Sequence, residues 1–339
     1  LVMADLQRVE EAIPLWHAAL ELEPHNSGWW GILGKLLLAT GRPDAATDCY
    51  ARAVELESAG SRARGVPAAG DSHEHHLGWA RALLAMGELD EAGRHVESAL
   101  DEHPDLAASH AGLGEWQAAM GNWQEALTSF RKAAALSGNG ASAPPAERAS
   151  YLLRVARAHR ALGSPEKALQ NLDRAAQMAP DLGAVFALMG DIHQELGNRD
   201  PARQAYQQAT KVAPSDPGYA LQLARFLQDE GQLDQALDWL MKTIAVAPTA
   251  ALWIQAARVY EQRNQRGKRL EALHRAAALE PENARVYYEL GLAYKQRKEY
   301  QMAIEAFEKA ISLDPGDQAA HKQLSAVVAI SITNEMGRG

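Results

Sequence analysis

The sequence predicts an all-α chain: an α-solenoid of about eight helix-turn-helix repeats of 34 residues, closed by a C-terminal capping helix. Three observations carry this. Pro180, Pro214, Pro248, Pro281 and Pro315 recur at intervals of 34, 34, 33 and 34 residues, each ending the same amphipathic pattern. A fixed period of this length marks stacked helical hairpins, none of which can bury its apolar face alone. Gly41, Gly87, Gly121, Gly163, Gly197 and Gly231 fall between the two halves of successive units, where a left-handed residue ends a helix at little cost. The composition, 47% hydrophobic but only 6% aromatic, supplies a core of alanine and leucine.

Residues 1–26 read as a truncated leading repeat. Glu10 to Pro24 makes a second helix, with Trp16 at its large packing position, while most of the first helix is missing. The expectation is that the natural protein extends further N-terminally. The first full repeat, 27–60, carries Trp30, Leu33, Gly34, Leu37, Ala46, Tyr50 and Ala53 at spacings of three and four that place them on helix faces. Repeat 73–106 has His76, Trp79, Ala80, Leu83, Ala92 and Ala99, and repeat 107–140 has His110, Leu113, Gly114, Ala126 and Phe130. Two Gly/Pro/Ser/Ala-rich stretches, 61–72 and 141–148, interrupt the period and read as loop insertions on the solenoid edge. Repeats 149–182, 183–216, 217–249 and 250–283 follow, the last with Arg269 where a packing alanine is expected, predicting a weak or bent hairpin. In repeat 284–317, Tyr287, Leu290, Gly291 and Tyr294 share one helix face, Ala303, Phe307 and Ala310 mark the second helix, and Pro315 stops it. The capping helix spans 318–332: Ala320, Leu324, Val327 and Val328 would cover the last hairpin, with His321, Lys322 and Gln323 toward water. Residues 333–339 form a tail.

The pattern of 284–317 resembles the tetratricopeptide repeat, W-x₂-L-G-x₂-Y followed by A-x₃-F and P, and eight units in register extend the resemblance over nearly the whole chain. The resemblance implies a right-handed superhelix whose first helices line a concave groove, and a scaffold or adaptor that binds protein or peptide partners there. In that family the residue after the motif's small Gly or Ala points into the groove. Here these residues are Lys35, Arg81, Glu115, Arg157, Asp191, Arg225, Arg258 and Leu292, five of the eight being basic, with Arg160 and Lys295 one turn further on. Lys35, Arg81, Arg157, Arg160, Arg225, Arg258 and Lys295 therefore form the candidate groove for a partner segment with acidic groups, which the arginine fork grips well. The competing reading pairs Glu115 and Asp191 with neighbouring arginines across repeats. The Lys/Asn/Arg clamp with which some relatives hold acidic chaperone tails is absent, Glu289 standing where an arginine would be needed. The asparagine ladder of sugar-transferring relatives is absent too, with Arg154, Gln222, Gln255 and Glu289 among the residues in its place.

Elsewhere the sequence mostly excludes. A net charge of −9, from 43 acidic and 34 basic residues, argues against nucleic-acid binding. No apolar run approaches the ~18 residues of a membrane span. The single cysteine, Cys49, permits no internal disulfide. Phosphate-loop, dinucleotide and zinc-protease motifs are missing, and Gly70-Asp71-Ser72-His73 lacks the strand-turn-helix setting of a nucleophile. His73 and His76 have the spacing of zinc ligands, but their place at the start of a repeat helix favours a packed His76 with His73 and His75 in solvent. Trp29 and Trp116 fall outside the motif and are candidates for exposed ligand contacts. No catalytic residue, metal or cofactor is assigned, and no enzyme activity is expected. The alternatives kept open are the recognition arm of a larger enzyme, a part of a bacterial envelope or export assembly, and a self-assembling homo-oligomer. Cytoplasm is the favoured compartment, with the periplasm as the other choice.

Overall fold

The computed structural model describes residues 2–64, 72–138 and 143–336. Among them lie eighteen α-helices and no strand. They divide into two compact units, Leu1–Val212 and Ala213–Gly339. The N-terminal unit holds α1 (Val2–Leu22), α2 (Ser27–Ala39), α3 (Pro43–Arg64), α4 (Ser72–Met86), α5 (Leu89–Glu102), α6 (Ala107–Ala119), α7 (Trp123–Gly138), α8 (Pro145–Ala161), α9 (Pro165–Met178), α10 (Gly183–Glu195) and α11 (Arg199–Val212). The C-terminal unit holds α12 (Pro217–Asp229), α13 (Leu233–Val246), α14 (Ala250–Gln262), α15 (Arg266–Leu279), α16 (Ala284–Gln296), α17 (Tyr300–Leu313) and α18 (Gln318–Met336). No helix among the described residues is long and apolar enough to cross a membrane.

Helices pair as hairpins (α2 with α3, α4 with α5, and so on to α16 with α17), and within each unit each hairpin packs on the next. The turn between paired helices is made by the expected glycines, with φ between 68° and 86°. In the last two hairpins Asn264 (φ 55°) and Lys298 (φ 64°) take that place. A lysine there carries a Cβ strain of about 1–2 kcal/mol that glycine avoids.

The hairpins close by matched volumes. Where the small position of the first helix is glycine, the residue sixteen positions on is aromatic: Gly34 with Tyr50, Gly114 with Phe130, Gly190 with Tyr206, Gly291 with Phe307. Where it is alanine, the partner is aliphatic: Ala80 with Val96, Ala156 with Leu172, Ala224 with Leu240, Ala257 with Leu273, all 4% exposed or less. A ring fills the space that a missing methyl leaves, so both pairings bury the hairpin's centre with different residues. In the C-terminal unit this seam runs unbroken from Ala250 through Phe307 to Val327.

Three expectations are corrected. Helix α3 runs on to Arg64 because nothing in Ser61–Arg64 breaks a helix, and α8 starts at Pro145, where the fixed proline φ suits the first helical position. Part of each expected loop insertion, 61–72 and 141–148, is thus helical; residues 65–71 and 139–142 lie outside the described ones. The cap α18 extends to Met336, into the expected tail, and Gln323 accepts a hydrogen bond from Lys295 (2.8 Å) as well as facing water. Arg269 does not interrupt the pairing of α14 with α15; it is buried at 2% exposure within a polar network.

Candidate functional site

Successive first helices touch one another directly, α2 with α4, α4 with α6, α8 with α10, and in the other unit α12 with α14, α14 with α16, α16 with α18. Successive second helices are kept apart by the first helices between them. Within each unit the first-helix layer is therefore the tighter, inner wall, and it carries the candidate residues.

Polar side chains lace this wall across repeats. In the N-terminal unit Glu115 on α6 accepts from Arg81 on α4 (3.0 Å) and from Arg154 on α8 (2.8 Å). Burial alone would raise the Glu115 carboxyl, but Arg81 and Arg154 outweigh it and hold it below its usual value. Arg160 on α8 donates to Asp191 (3.2 Å) and in a fork to Glu195, both on α10. Its hydrogen bonds to Glu195 raise its affinity for a proton further. Asp191 also accepts from the Tyr206 hydroxyl (2.8 Å).

The C-terminal unit repeats the theme with more burial. Arg258 on α14 donates to Glu289 on α16 (2.6 Å). Arg269, from α15, reaches through to the same wall: Nη1 lies 2.5 Å from Glu261 and 2.8 Å from Gln296, and Nη2 is 3.8 Å from Glu289. Its Nε is buried without a partner. Gln255 donates to Gln228 (2.6 Å), linking α14 to α12. Gln228, Arg258, Glu261, Arg269, Glu289 and Gln296 border, with Leu292, an open recess of about 710 Å³.

Of the seven expected groove residues, Arg81, Arg160 and Arg258 are engaged in ion pairs and Lys295 in its bond to Gln323. Lys35, Arg157 and Arg225 stand exposed on the wall, with no ion-pair partner among the described residues. A second, smaller recess of about 110 Å³ brings Arg225 and Arg258 together with Arg285, which the sequence reading missed. The signal for Arg285 was present, since it lies two helical turns before Leu292 on the same face. Arg154 was likewise missed as a pairing partner, because its role depends on a residue 39 positions away.

The histidines are corrected. His75 is the buried one (6% exposed), seated against Gly31 on α2 with Nδ1 3.0 Å from Glu57; it holds the repeat position that buries Ser109, Val185, Leu252 and Val286 in other first helices. His76 faces His95 on α5 with their Nδ1 atoms 2.9 Å apart, His95 stacks on Trp79, and His73 meets His103 edge-on. No group of three or more His, Cys, Asp or Glu side chains placed to hold a metal occurs among the described residues. Trp116 is not an exposed contact either: its Nε1 donates to the Leu89 carbonyl (2.8 Å) and its ring fills the space over Gly93, while Trp29 packs edge-on against Trp16.

Burial, then His76 and Arg94, pushes the His95 imidazole down from 6.5 to about 4, and burial lowers His76 despite Glu102 and Glu57. The folded state thus resists protons that the unfolded chain accepts below about 6.5, so this contribution is intact above that pH and is lost as pH falls toward 4. The thermal midpoint should drop by several degrees from pH 7.5 to pH 4.5, and His95→Phe should flatten that dependence. An unchanged slope in the variant would place the loss elsewhere.

Tetratricopeptide-repeat models match residues 3–66 and 159–222, residues 77–144 and 117–182, and residues 284–317. No curated protein matches the chain. Similar solved structures include a tetratricopeptide repeat protein from Parabacteroides merdae (21% identity over 76% of this chain and 100% of that one, TM-score 0.46). Pseudomonas aeruginosa pilF is another (18% identity, 67% and 96%, TM-score 0.47). A chain of the APC/C hetero-tetramer Cut9-Hcn1 is a third (16% identity over 84% of this chain, TM-score 0.46), and only 55% of its length is spanned. Repeats of this kind mediate protein–protein interaction. By its matched segments, its paired helices and its glycine-marked turns, the chain belongs to the tetratricopeptide-repeat family.

Proposed function

We propose that the chain is an interaction scaffold that holds a segment of a partner protein against its first-helix wall, and that the segment carries acidic groups. One observation carries this reading. The wall's acids, Glu115, Asp191 and Glu289, are each held by arginines of the chain itself, whereas Lys35, Arg157 and Arg225 face solvent unpaired. A protein of net charge −9 thus presents surplus positive charge on this surface. Complementary charge of this kind sets partner choice and the rate of encounter more than it sets raw affinity. The lacing that consumes the other arginines fixes the wall's shape in advance, so a segment binds without ordering it.

The test uses a partner isolated with the intact chain as bait and then measured as a purified pair. Replacing Lys35, Arg157 and Arg225 by glutamine removes three exposed charges and strands no buried acid, so the fold should be untouched. Binding should weaken at least about tenfold at low salt, from loss of charge-assisted contacts. Unchanged affinity in this variant, with an unchanged melting midpoint, would refute the wall as the binding surface.

A further inference from the structure

The 110 Å³ recess of the C-terminal unit differs from the rest of the wall in its charge. Three guanidinium groups border it, one from each of three consecutive repeats: Arg225 on α12, Arg258 on α14 and Arg285 on α16. Arg258 is committed in part to Glu289 (2.6 Å). The side chains of Arg225 and Arg285 have no ion-pair or hydrogen-bond partner among the described residues. The one acid at the rim, Glu280, accepts from the Asn283 side-chain amide (2.6 Å). Leu221, Ala251 and Ile254 form its apolar side, and the carboxamides of Gln255 and Asn283, which carry no charge, complete the lining.

Two free arginine forks plus a third shared one are more than a single carboxylate can use. A carboxylate has two oxygens and one charge, and one bidentate arginine satisfies it. A phosphoryl group has three terminal oxygens and a charge of about −1.5 to −2, which matches two free forks and part of a third. At about 110 Å³ the recess has room for one tetrahedral oxyanion. Leu221 and Ile254 displace water from one side and so strengthen whatever charge interaction forms there.

We propose that Arg225, Arg258 and Arg285 form a site for a phosphoryl group borne on a serine or threonine of the partner segment. This rests on the reading of the first-helix wall as the binding surface and makes the C-terminal unit's share of it dependent on phosphorylation. A partner would then dock weakly until modified, with the phosphate engaging the free forks while Glu289 keeps Arg258 in place.

The test titrates the full chain with N-acetyl-phosphoserine amide, its glutamate counterpart and inorganic phosphate, following the arginine Nε–Hε resonances by NMR. The expected result is a saturable shift at Arg225 and Arg285 with the phosphoserine probe, and affinity at least about tenfold lower for the glutamate probe. Inorganic phosphate should bind at the same resonances, but no more tightly than the phosphoserine probe. Arg258, the third fork of the recess, should shift with them; Arg225→Gln with Arg285→Gln should abolish this response at Arg258, while Lys35→Gln with Arg157→Gln should leave it intact. No saturable shift, equal binding of the glutamate probe, tighter binding of free phosphate, or a response that survives the double variant would each overturn the proposal. Failure here with partner capture still lost in the three-charge variant removes the phosphoryl site alone; retained capture in that variant removes the wall reading itself.

Discussion

Truncating Phe307 to alanine should destabilise the C-terminal unit by about 3–5 kcal/mol, the range for emptying a filled aromatic site. The ring is fully buried at the hairpin formed by α16 and α17, and it rests on Gly291. The reverse change is informative too. A methyl at Gly291 would fall 2.5 Å from the ring, so Gly291→Ala must displace it. Helix propensity favours the alanine by about 1 kcal/mol, but overpacking against a ring with nowhere to go costs about 1–3 kcal/mol. The clash should win. Combining Gly291→Ala with Phe307→Leu recreates the alanine–leucine pairing of Ala257 with Leu273, and the pair should recover most of the loss from either single change. Denaturant midpoints, with hydrogen exchange of the α16 and α17 amides to localise the effect, measure this. Additive losses in the double variant would show that the volumes are not matched as described.

The second large effect concerns the polar network around Arg269. Removing Glu289 takes away the acid nearest the Nη2 of a guanidinium only 3% exposed, and breaking a buried pair from one side costs about 3–5 kcal/mol. Glu261 and Gln296 remain on Nη1, so Glu289→Ala should fall at the lower end, about 3 kcal/mol. Arg269→Met should behave in the opposite way. It removes the charge and the unpartnered Nε together while keeping the packing volume; Glu289 retains Arg258, and Glu261 is half in water. That change should be neutral or stabilising. Urea denaturation of both variants decides it: a methionine variant as unstable as the Glu289 variant would mean the network holds the hairpins together.

The difference between these two sites explains what the sequence could and could not show. Packing positions follow from spacings of three and four along one helix, so Leu290, Gly291 and Phe307 were legible at once. Arg269 was legible as an anomaly but not as a solution, because its partners Glu261 and Gln296 lie on two other helices. The same limit hid the Arg81–Glu115–Arg154 chain, whose bonds span 34 and 39 positions and depend on the reach of long side chains. Helix starts were misjudged for a local reason. Pro145 reads as a breaker, yet at the first turn it begins a helix. The groove cations were found from their repeat position, but which of them stay free is decided by acids one repeat away.

The salt dependence of partner binding bears most directly on the inner-wall account. With a purified partner, log Kd plotted against log salt should rise steeply for the natural chain, since exposed charge pairs are screened beyond about 10 Å at 0.1 M. The Lys35, Arg157 and Arg225 glutamine variant should give a clearly shallower line at equal thermal stability. Coincident lines would show that these cations never meet the partner, and the surface would have to be sought elsewhere on the chain.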